Sequence, residues 1–247
     1  SASVGWLSVA ASILAAACCF LLPHCPPQGG PPKNALDVLG LRAFRLFKQR
    51  DTAIFFGTAF LFSIPLSAYF MHTPQQLRFL GCEQIAAVMT VGQLTEVVAM
   101  LLMGWLLRRW TIKSIFVLAL GCGTLRYLLY AVGASDDSIA SVLLGVALHW
   151  ICWTYFFEAG KVFLARRIER GIRTQSQALL ALLTSGIGGL AGTALVGWAH
   201  GFLVNETTGA GWDHYWWLLT AVCGFCLIGF MIGYRGAPPS AKMTEFG

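Results

Sequence analysis

The side chains best placed to carry chemistry in this chain are charges inside long apolar runs. Glu96 lies in the stretch VMTVGQLTEVVAM, within an apolar run from Ile85 to Leu107 that holds no other charge. Ionisable groups in lipid are costly and face the protein interior or water, so Glu96 is a candidate functional residue. On a helix it shares a face with Gln93, because residues three and four apart are neighbours. A desolvated acid without a resident cation can be protonated near neutral pH. With Gln93 one turn away, the Glu96 carboxyl can therefore exchange a proton while contacting a polar solute.

Three further charges fall inside predicted membrane spans: Arg126, Glu158 and Lys161. With Glu96 they are the candidates for coupling proton movement. Glu158 and Lys161 are three residues apart and can instead neutralise each other. The structural alternative for Glu96 is a permanent ion pair with Arg126 or Lys161 from another helix. For Arg126 itself, a structural ion pair is favoured over ligand binding.

Aromatic residues accompany two of these charges in the segment LHWICWTYFFEAGKVF. Trp150, Thr154 and Phe157 fall on the same side of a helix as Glu158 and Lys161, and Trp153 lies at the border of that side. Aromatic planes beside polar groups suit a flat heterocyclic solute that stacks and hydrogen-bonds. Aromatics that face lipid or pack in a core remain the alternative. His149 and His200 are interpreted as hydrogen-bonded structural residues, with ligand binding or titration as the alternative for each.

Composition places these residues in a membrane protein. The chain is 57% hydrophobic and 11% charged, whereas soluble domains carry about 25% charged residues. The net charge of +6 comes from short clusters between apolar runs, a pattern that predicts charges flanking membrane helices and no nucleic-acid partner. Cys223 and Cys226 form a C-x-x-C inside an apolar run, where membrane packing is favoured over redox chemistry. We expect no metal and no cofactor.

Seven apolar runs reach the roughly 20 residues that a membrane-spanning helix needs. The predicted spans are 3–22, 52–71, 84–107, 114–133, 138–164, 175–203 and 214–234. The long gap after the first span divides them into one helix, a linker and a block of six. Within the sixth span, Gly188-x-x-x-Gly192 predicts close helix packing.

The distribution of basic residues predicts the orientation, because loops rich in Lys and Arg stay in the cytoplasm. Segments 23–51, 108–113, 165–174 and 235–247 hold nearly all Lys and Arg residues outside the spans, whereas the alternate loops are acidic. The C-terminus is therefore predicted to be cytoplasmic. Residues 35–49 have an apolar side containing Leu46 and Phe47 and basic residues at spacing three, which predicts an amphipathic helix on the inner membrane surface.

Two segments resemble the nucleoside:proton symporters of the major facilitator superfamily: IAAVMTVGQLTEVVAMLLMGWLLRRWTIKSIFVLALGCGTLRYLLYAVG and LHWICWTYFFEAGKVFLARRIERGIRTQSQALLALLTSGIGGLAG. The likeness covers about residues 60–203. It includes the motifs G-Q-x-x-E, L-R-Y, L-H-x-x-C-aromatic and R-x-x-x-Q before a Gly-rich helix. The resemblance implies an all-α integral membrane fold with two six-helix halves and a solute site between them near the membrane midplane.

The resemblance also implies a domain organisation. Residues 1–22 would be the last helix of the N-terminal half, and 23–51 the central cytoplasmic linker with its amphipathic helix. Residues 52–234 would form the six-helix C-terminal half, and 235–247 a cytoplasmic tail. The rest of the N-terminal half is expected to precede SASVGWL, the start of this chain.

The resemblance assigns roles to individual residues. Gln93 and Glu96 match a polar pair that contacts nucleoside, with Glu96 a candidate for coupling. Trp153 stands where the family has a Tyr beside the solute, and Phe157 where it has a Phe. Thr154 replaces an Asp of the family and counts among the expected solute contacts. The segment SIPLSAYFMHTPQQ offers no clear equivalent of the amide pair that the family carries there.

These observations predict a proton-coupled symporter in the cytoplasmic membrane that moves nucleosides or similar polar solutes by alternating access. Its expected partners are a small polar solute, protons, the lipid bilayer and the missing half of the same polypeptide. The first alternative is the same fold with another polar solute such as a sugar. A seven-helix receptor is a second alternative, suggested only by the number of spans. A membrane enzyme comes third, because no paired catalytic groups support it.

Overall fold

The computed structural model describes residues 2–23 and 41–236, which belong to two separate units. The first unit contains helix α1, Ala2–Cys19. This helix matches the first predicted span, 3–22, beginning one residue before it and ending three residues before its end. Most of the predicted linker and tail, residues 24–40 and 237–247, lies outside the described residues.

The second unit is a bundle of six helices, each long and apolar enough to cross a membrane. They are α2 (Arg50–Phe79), α3 (Ile85–Arg109), α4 (Ile112–Ser135), α5 (Ile139–Arg167), α6 (Arg173–Leu203) and α7 (Trp212–Gly233). Short turns join them, so successive helices run in opposite directions across the bundle. The described residues contain no strand. The predicted all-α membrane fold is therefore confirmed.

The sequence prediction for the end of α2 was wrong. The predicted span ends at residue 71, before Pro74, but the helix continues through Pro74 to Phe79. Proline removes one helical hydrogen bond, which favours a break. Here the turn around Pro74 is held by contacts with other helices. His72 Nδ1 lies 2.6 Å from the hydroxyl of Tyr215 in α7, and Gln76 donates to the carbonyl of Tyr130 in α4 at 3.3 Å.

The segment before α2 is a 3₁₀ helix, Leu41–Lys48. It packs against α2 and the start of α6. Leu46 is fully buried, whereas Phe44 and Phe47 are exposed. The apolar residues of the predicted amphipathic helix therefore face two ways. Leu46 faces the bundle, whereas Phe44 and Phe47 face outward. Residues 35–40 of that prediction lie outside the described residues.

One end of the bundle is held together by charged side chains. Asp51 at the start of α2 pairs with Arg167 at the end of α5, with 3.7 Å between Oδ2 and Nη2. Asp51 also accepts the backbone N–H of Arg235 at 3.0 Å. Lys113 at the start of α4 donates to the carbonyl of Tyr234 at 2.7 Å. We call this the basic end. The opposite end, formed by turns 80–84, 136–138 and 204–211, is called the acidic end.

Glycines bring the helices of the bundle into close contact. A Cβ at Gly188 would lie 2.3 Å from Ser63 Oγ, and one at Gly192 would lie 2.5 Å from Ser67 Oγ. The predicted close packing of the Gly188-x-x-x-Gly192 motif is confirmed, with α2 as its partner. At Gly92, a Cβ would lie 2.4 Å from Nε1 of Trp150, so α3 approaches α5 closely there.

Two helices contain π segments in their middle: Thr154–Glu158 in α5 and Leu182–Ile187 in α6. A π turn inserts an extra residue into the helix, so the side chains that follow point in a different direction. Such turns are frequent at functional sites. The π segment of α5 holds three of the predicted site residues. The π segment of α6 holds Thr184 and Ser185, which lie close to Trp153.

Candidate functional site

Glu96 lies on α3 near its contact with α5. The hydroxyl of the preceding residue, Thr95, lies 2.6 Å from the carbonyl of Gly92 and 3.3 Å from that of Ala147 in α5, which joins the two helices. Glu96 is half-buried and Gln93 is exposed. Among the described residues, no cation forms an ion pair with Glu96. Its carboxylate therefore has no structural partner in the described part of the bundle.

Glu158 and Lys161 neutralise each other. Lys161 Nζ donates to Glu158 Oε1 at 2.6 Å. The side chain of Glu158 is 23% exposed and that of Lys161 is 50% exposed. Lys161 is thus engaged within α5 and does not pair with Glu96. α3, which carries Glu96, packs against the π segment Thr154–Glu158 of α5. The two acids therefore lie on elements that are in contact.

The three predicted contacts on α5 differ in accessibility. Phe157 is 3% exposed and packs between Phe62, with ring centroids 6.0 Å apart, and Trp153, with centroids 4.8 Å apart. Thr154 is fully buried, and its hydroxyl has no partner among the described residues. Trp153 is half-buried. Of the three, Trp153 is the one positioned to meet a solute, with Phe157 packed behind it.

Trp153 lines a cavity of about 200 Å³ between α2, α5 and α6, which we call the central cavity. The other lining residues are mostly small and hydroxylated: Ser63, Leu66, Ser67, Phe70, Thr184, Ser185 and Gly189. Ser63 and Thr184 donate their hydroxyl protons to helix carbonyls, of Phe60 at 2.7 Å and of Leu180 at 2.8 Å. Their oxygen lone pairs are thus free to accept hydrogen bonds from a solute.

Sequence reasoning missed the serines of the central cavity. The resemblance predicts amides in SIPLSAYFMHTPQQ, whereas Ser63 and Ser67 are the residues of this segment with hydroxyl groups that line the cavity. Ser63 and Ser67 are four residues apart, as are Gly188 and Gly192, which they contact. This shared spacing was the sequence signal for the contact. Small residues on both helices let α2 and α6 approach while keeping polar atoms at their contact.

Arg126 forms a buried polar cluster with residues of three helices. Its side chain is 1% exposed. It donates to His149 Nδ1 and to the hydroxyl of Tyr127, which in turn donates to the Pro65 carbonyl. The guanidinium lies 5.1 Å from the ring of Tyr69. The predicted ion pair is therefore wrong: among the described residues, an imidazole, a hydroxyl and aromatic faces hold this cation.

We predict that Arg126→Lys destabilises the bundle. A lysine ammonium cannot reproduce the fixed fork that reaches His149 and Tyr127 together, nor stack as a plane on Tyr69. Weakening a buried charged hydrogen-bond network costs about 2–3 kcal/mol, which lowers the thermal midpoint by roughly 5–10 °C. The measurement is thermal unfolding of the purified protein in detergent. Arg109→Lys, at an exposed position, is the matched control and should unfold like the parent.

A second readout separates structure from transport at this position. If Arg126→Lys keeps the parental midpoint but loses proton-driven uptake, Arg126 acts in the path of the proton or solute. A lowered midpoint with uptake that recovers at low temperature supports the structural assignment.

The helices and the central cavity define a class of protein. Six antiparallel membrane-length helices packed around a cavity define a polytopic helical membrane protein. The fold matches a crystal structure of a mutant of the nucleoside transporter NupG with a TM-score of 0.72. The sequence identity is 22%, over 87% of this chain and 56% of that chain.

Family membership follows from the sequence. Residues 4–238 match the family described as Nucleoside H+ symporter, and the chain belongs to that family. The resemblance that the G-Q-x-x-E and L-R-Y motifs carried is thereby confirmed.

Two curated relatives from Escherichia coli (strain K12) are similar over most of this chain. The putative nucleoside transporter YegT is 27% identical over 237 residues, which are 93% of this chain and 56% of the relative. The xanthosine permease is 25% identical over 242 residues, 93% of this chain and 58% of the relative. The chain thus spans little more than half the length of these relatives.

Proposed function

We propose that this chain is the C-terminal half of a proton-coupled transporter that moves nucleosides across the cytoplasmic membrane by alternating access. The observation that carries the proposal is the central cavity, which combines an accessible indole with hydroxyl oxygens on a chain of the Nucleoside H+ symporter family. The indole of Trp153 can stack on a nucleobase. The oxygens of Ser63 and Thr184 can accept from sugar hydroxyls or base N–H groups.

The proposal adds Gln93 and Glu96 to the site, although neither side chain lines the central cavity. Both lie on α3, which packs against α5 beside Trp150. The exposed amide of Gln93 can donate to and accept from a solute. Glu96, without an ion-pair partner among the described residues, is the proposed carrier of the coupled proton. Glu158, paired with Lys161, is the second acid of the proposed coupling path.

The proposal requires a second half. In the fold of this superfamily, the solute site lies between two six-helix halves that rock against each other. A cavity of about 200 Å³ is small for a transported solute, as expected if the other half supplies its remaining walls. We further propose that the basic end of the bundle faces the cytoplasm, because positively charged loops are retained there. That orientation places the C-terminus inside the cell.

The proposal is tested by uptake of labelled uridine and adenosine in cells that lack their own nucleoside permeases. The full-length protein is expressed, and a protonophore is added in a parallel sample. Uptake that exceeds the external concentration and collapses with the protonophore supports a nucleoside symporter. Competition by unlabelled sugars, with no competition by nucleosides, would mean that the transported solute is a sugar. The protein would still be a transporter. Absence of uptake by protein that reaches the membrane would contradict the nucleoside proposal.

A further inference from the structure

A second cavity, of about 500 Å³, opens at the acidic end of the bundle, and we call it the acidic-end cavity. It is lined by Gln75, Arg78, Phe79, His200, Glu206 and Trp212, and it shares no residue with the central cavity. Small-molecule pockets occupy roughly 300–1,000 Å³, so it has the size of a ligand site.

One wall of this cavity is a braced loop, residues 204–211. Asn205 Oδ1 accepts hydrogen bonds from the backbone N–H groups of Thr207 and Thr208, at 3.0 and 3.1 Å. Gly209 has a φ of +71°, and a Cβ there would lie 1.9 Å from the Phe79 ring. The loop and the end of α2 are therefore in contact, and the wall is formed without a ligand.

His200 gives the cavity an unsatisfied polar group. It is 5% exposed, and its Nε2 has no hydrogen-bond partner among the described residues. Its ring stacks on that of His72, with centroids 4.3 Å apart and planes at 3°, and meets the edge of Trp212 at 5.0 Å. The sequence prediction of a hydrogen-bonded structural histidine does not hold for Nε2. A buried polar atom without a partner is costly, and a ligand can supply the missing partner.

The remaining lining residues indicate the chemistry of that ligand. Arg78 supplies donors, Glu206 acceptors and Gln75 both, while Phe79 and Trp212 supply apolar surface. The opposite charges of Arg78 and Glu206 balance, which favours a neutral molecule over an ion. Donor and acceptor groups around aromatic walls suit a planar heterocycle with hydrogen-bonding edges, such as a nucleobase.

We propose that the acidic-end cavity is an entry site that binds nucleoside before it reaches the central cavity. The inference rests on the proposed function, since it takes the same solute. The acidic end is the end that the charge distribution predicts to face outward, where solute arrives. The nucleobase lies against Phe79 and Trp212, and its edge bonds Arg78, Glu206 and His200.

The test is equilibrium binding of labelled uridine to the full-length protein in lipid nanodiscs, together with uptake by the same variants. The parent should bind two uridines. The double variant Arg78→Gln/Glu206→Gln should weaken one site about tenfold or more, as expected for the loss of charged hydrogen bonds. Trp153→Ala should weaken the other. Asp137→Asn, an exposed acid in another turn of the same end, is the control and should bind like the parent.

The outcomes separate this inference from the proposed function. Nucleoside uptake with one uridine per protein, unchanged in Arg78→Gln/Glu206→Gln, would overturn the entry site and leave the transporter proposal standing. Two sites in the parent, with one lost in the double variant and the other in Trp153→Ala, would support it. A protein that neither transports nor binds uridine would overturn both proposals, and uptake of another solute class would identify the replacement.

Discussion

Glu96→Gln in the full-length protein is expected to abolish proton-driven accumulation of nucleoside while leaving nucleoside exchange across the membrane intact. Glutamine has nearly the same shape and still hydrogen-bonds a solute, but it cannot gain or lose a proton. In the described bundle Glu96 has no ion-pair partner, and its helix α3 packs against the π segment of α5 that holds Glu158. A proton on Glu96 removes an unpaired charge beside this helix contact.

The size of the effect follows from the energy of the gradient. One pH unit is worth about 1.4 kcal/mol for each proton carried, so it supports roughly tenfold accumulation of solute. The variant should equilibrate uridine to a ratio of one. The measurement is uridine uptake into vesicles with an imposed pH gradient, alongside counterflow of uridine without a gradient.

Glu83→Gln is the matched control, because Glu83 is an exposed acid in the turn before the same helix. It should accumulate uridine like the parent. Accumulation retained by Glu96→Gln would remove Glu96 from the coupling path. Glu158→Gln would then be the next variant, since Glu158 is the other acid at this position of the bundle.

The helices of the bundle were predictable because lipid imposes simple rules on sequence. A run of about 20 apolar residues must form a helix to satisfy its backbone, and loop charges separate the two ends. The exception, the end of α2, shows the limit of these rules. Pro74 signals a break locally, and only the contacts of His72 and Gln76 with other helices keep the turn helical. Contacts of that kind join residues far apart in sequence and have no local signal.

The candidate site was predictable only in part, for the same reason. Helical spacing placed Gln93 with Glu96 and brought Glu158 within reach of Lys161. It could not decide whether Glu158 and Lys161 pair, which the structure shows. The partners of Arg126 come from neighbouring helices, and the π segment at Thr154–Glu158 changes the facing of residues without any change in hydrophobic pattern. Side-chain placement across helices therefore depends on tertiary contacts that have no signal in the local sequence.

Gly192→Leu is expected to destabilise the bundle. A Cβ at this position would lie 2.5 Å from Ser67 Oγ and 3.1 Å from the Cα of Ile64. The serine can rotate away, but the backbone of α2 cannot move without separating α2 from α6 and opening the central cavity. Overpacking of this kind costs about 1–3 kcal/mol or more, or roughly 5–10 °C in thermal midpoint.

Gly197→Leu provides the matched control on the same helix, because a Cβ at Gly197 meets no atom within 4 Å. Both variants add the same side chain to α6 and differ only in what it meets. Size-exclusion chromatography and thermal unfolding in detergent should show aggregated or destabilised Gly192→Leu and a parental profile for Gly197→Leu. Equal stability of the two variants would mean that α2 and α6 do not pack through Gly192. In that case α2 and α6 would not form the wall of the central cavity as described.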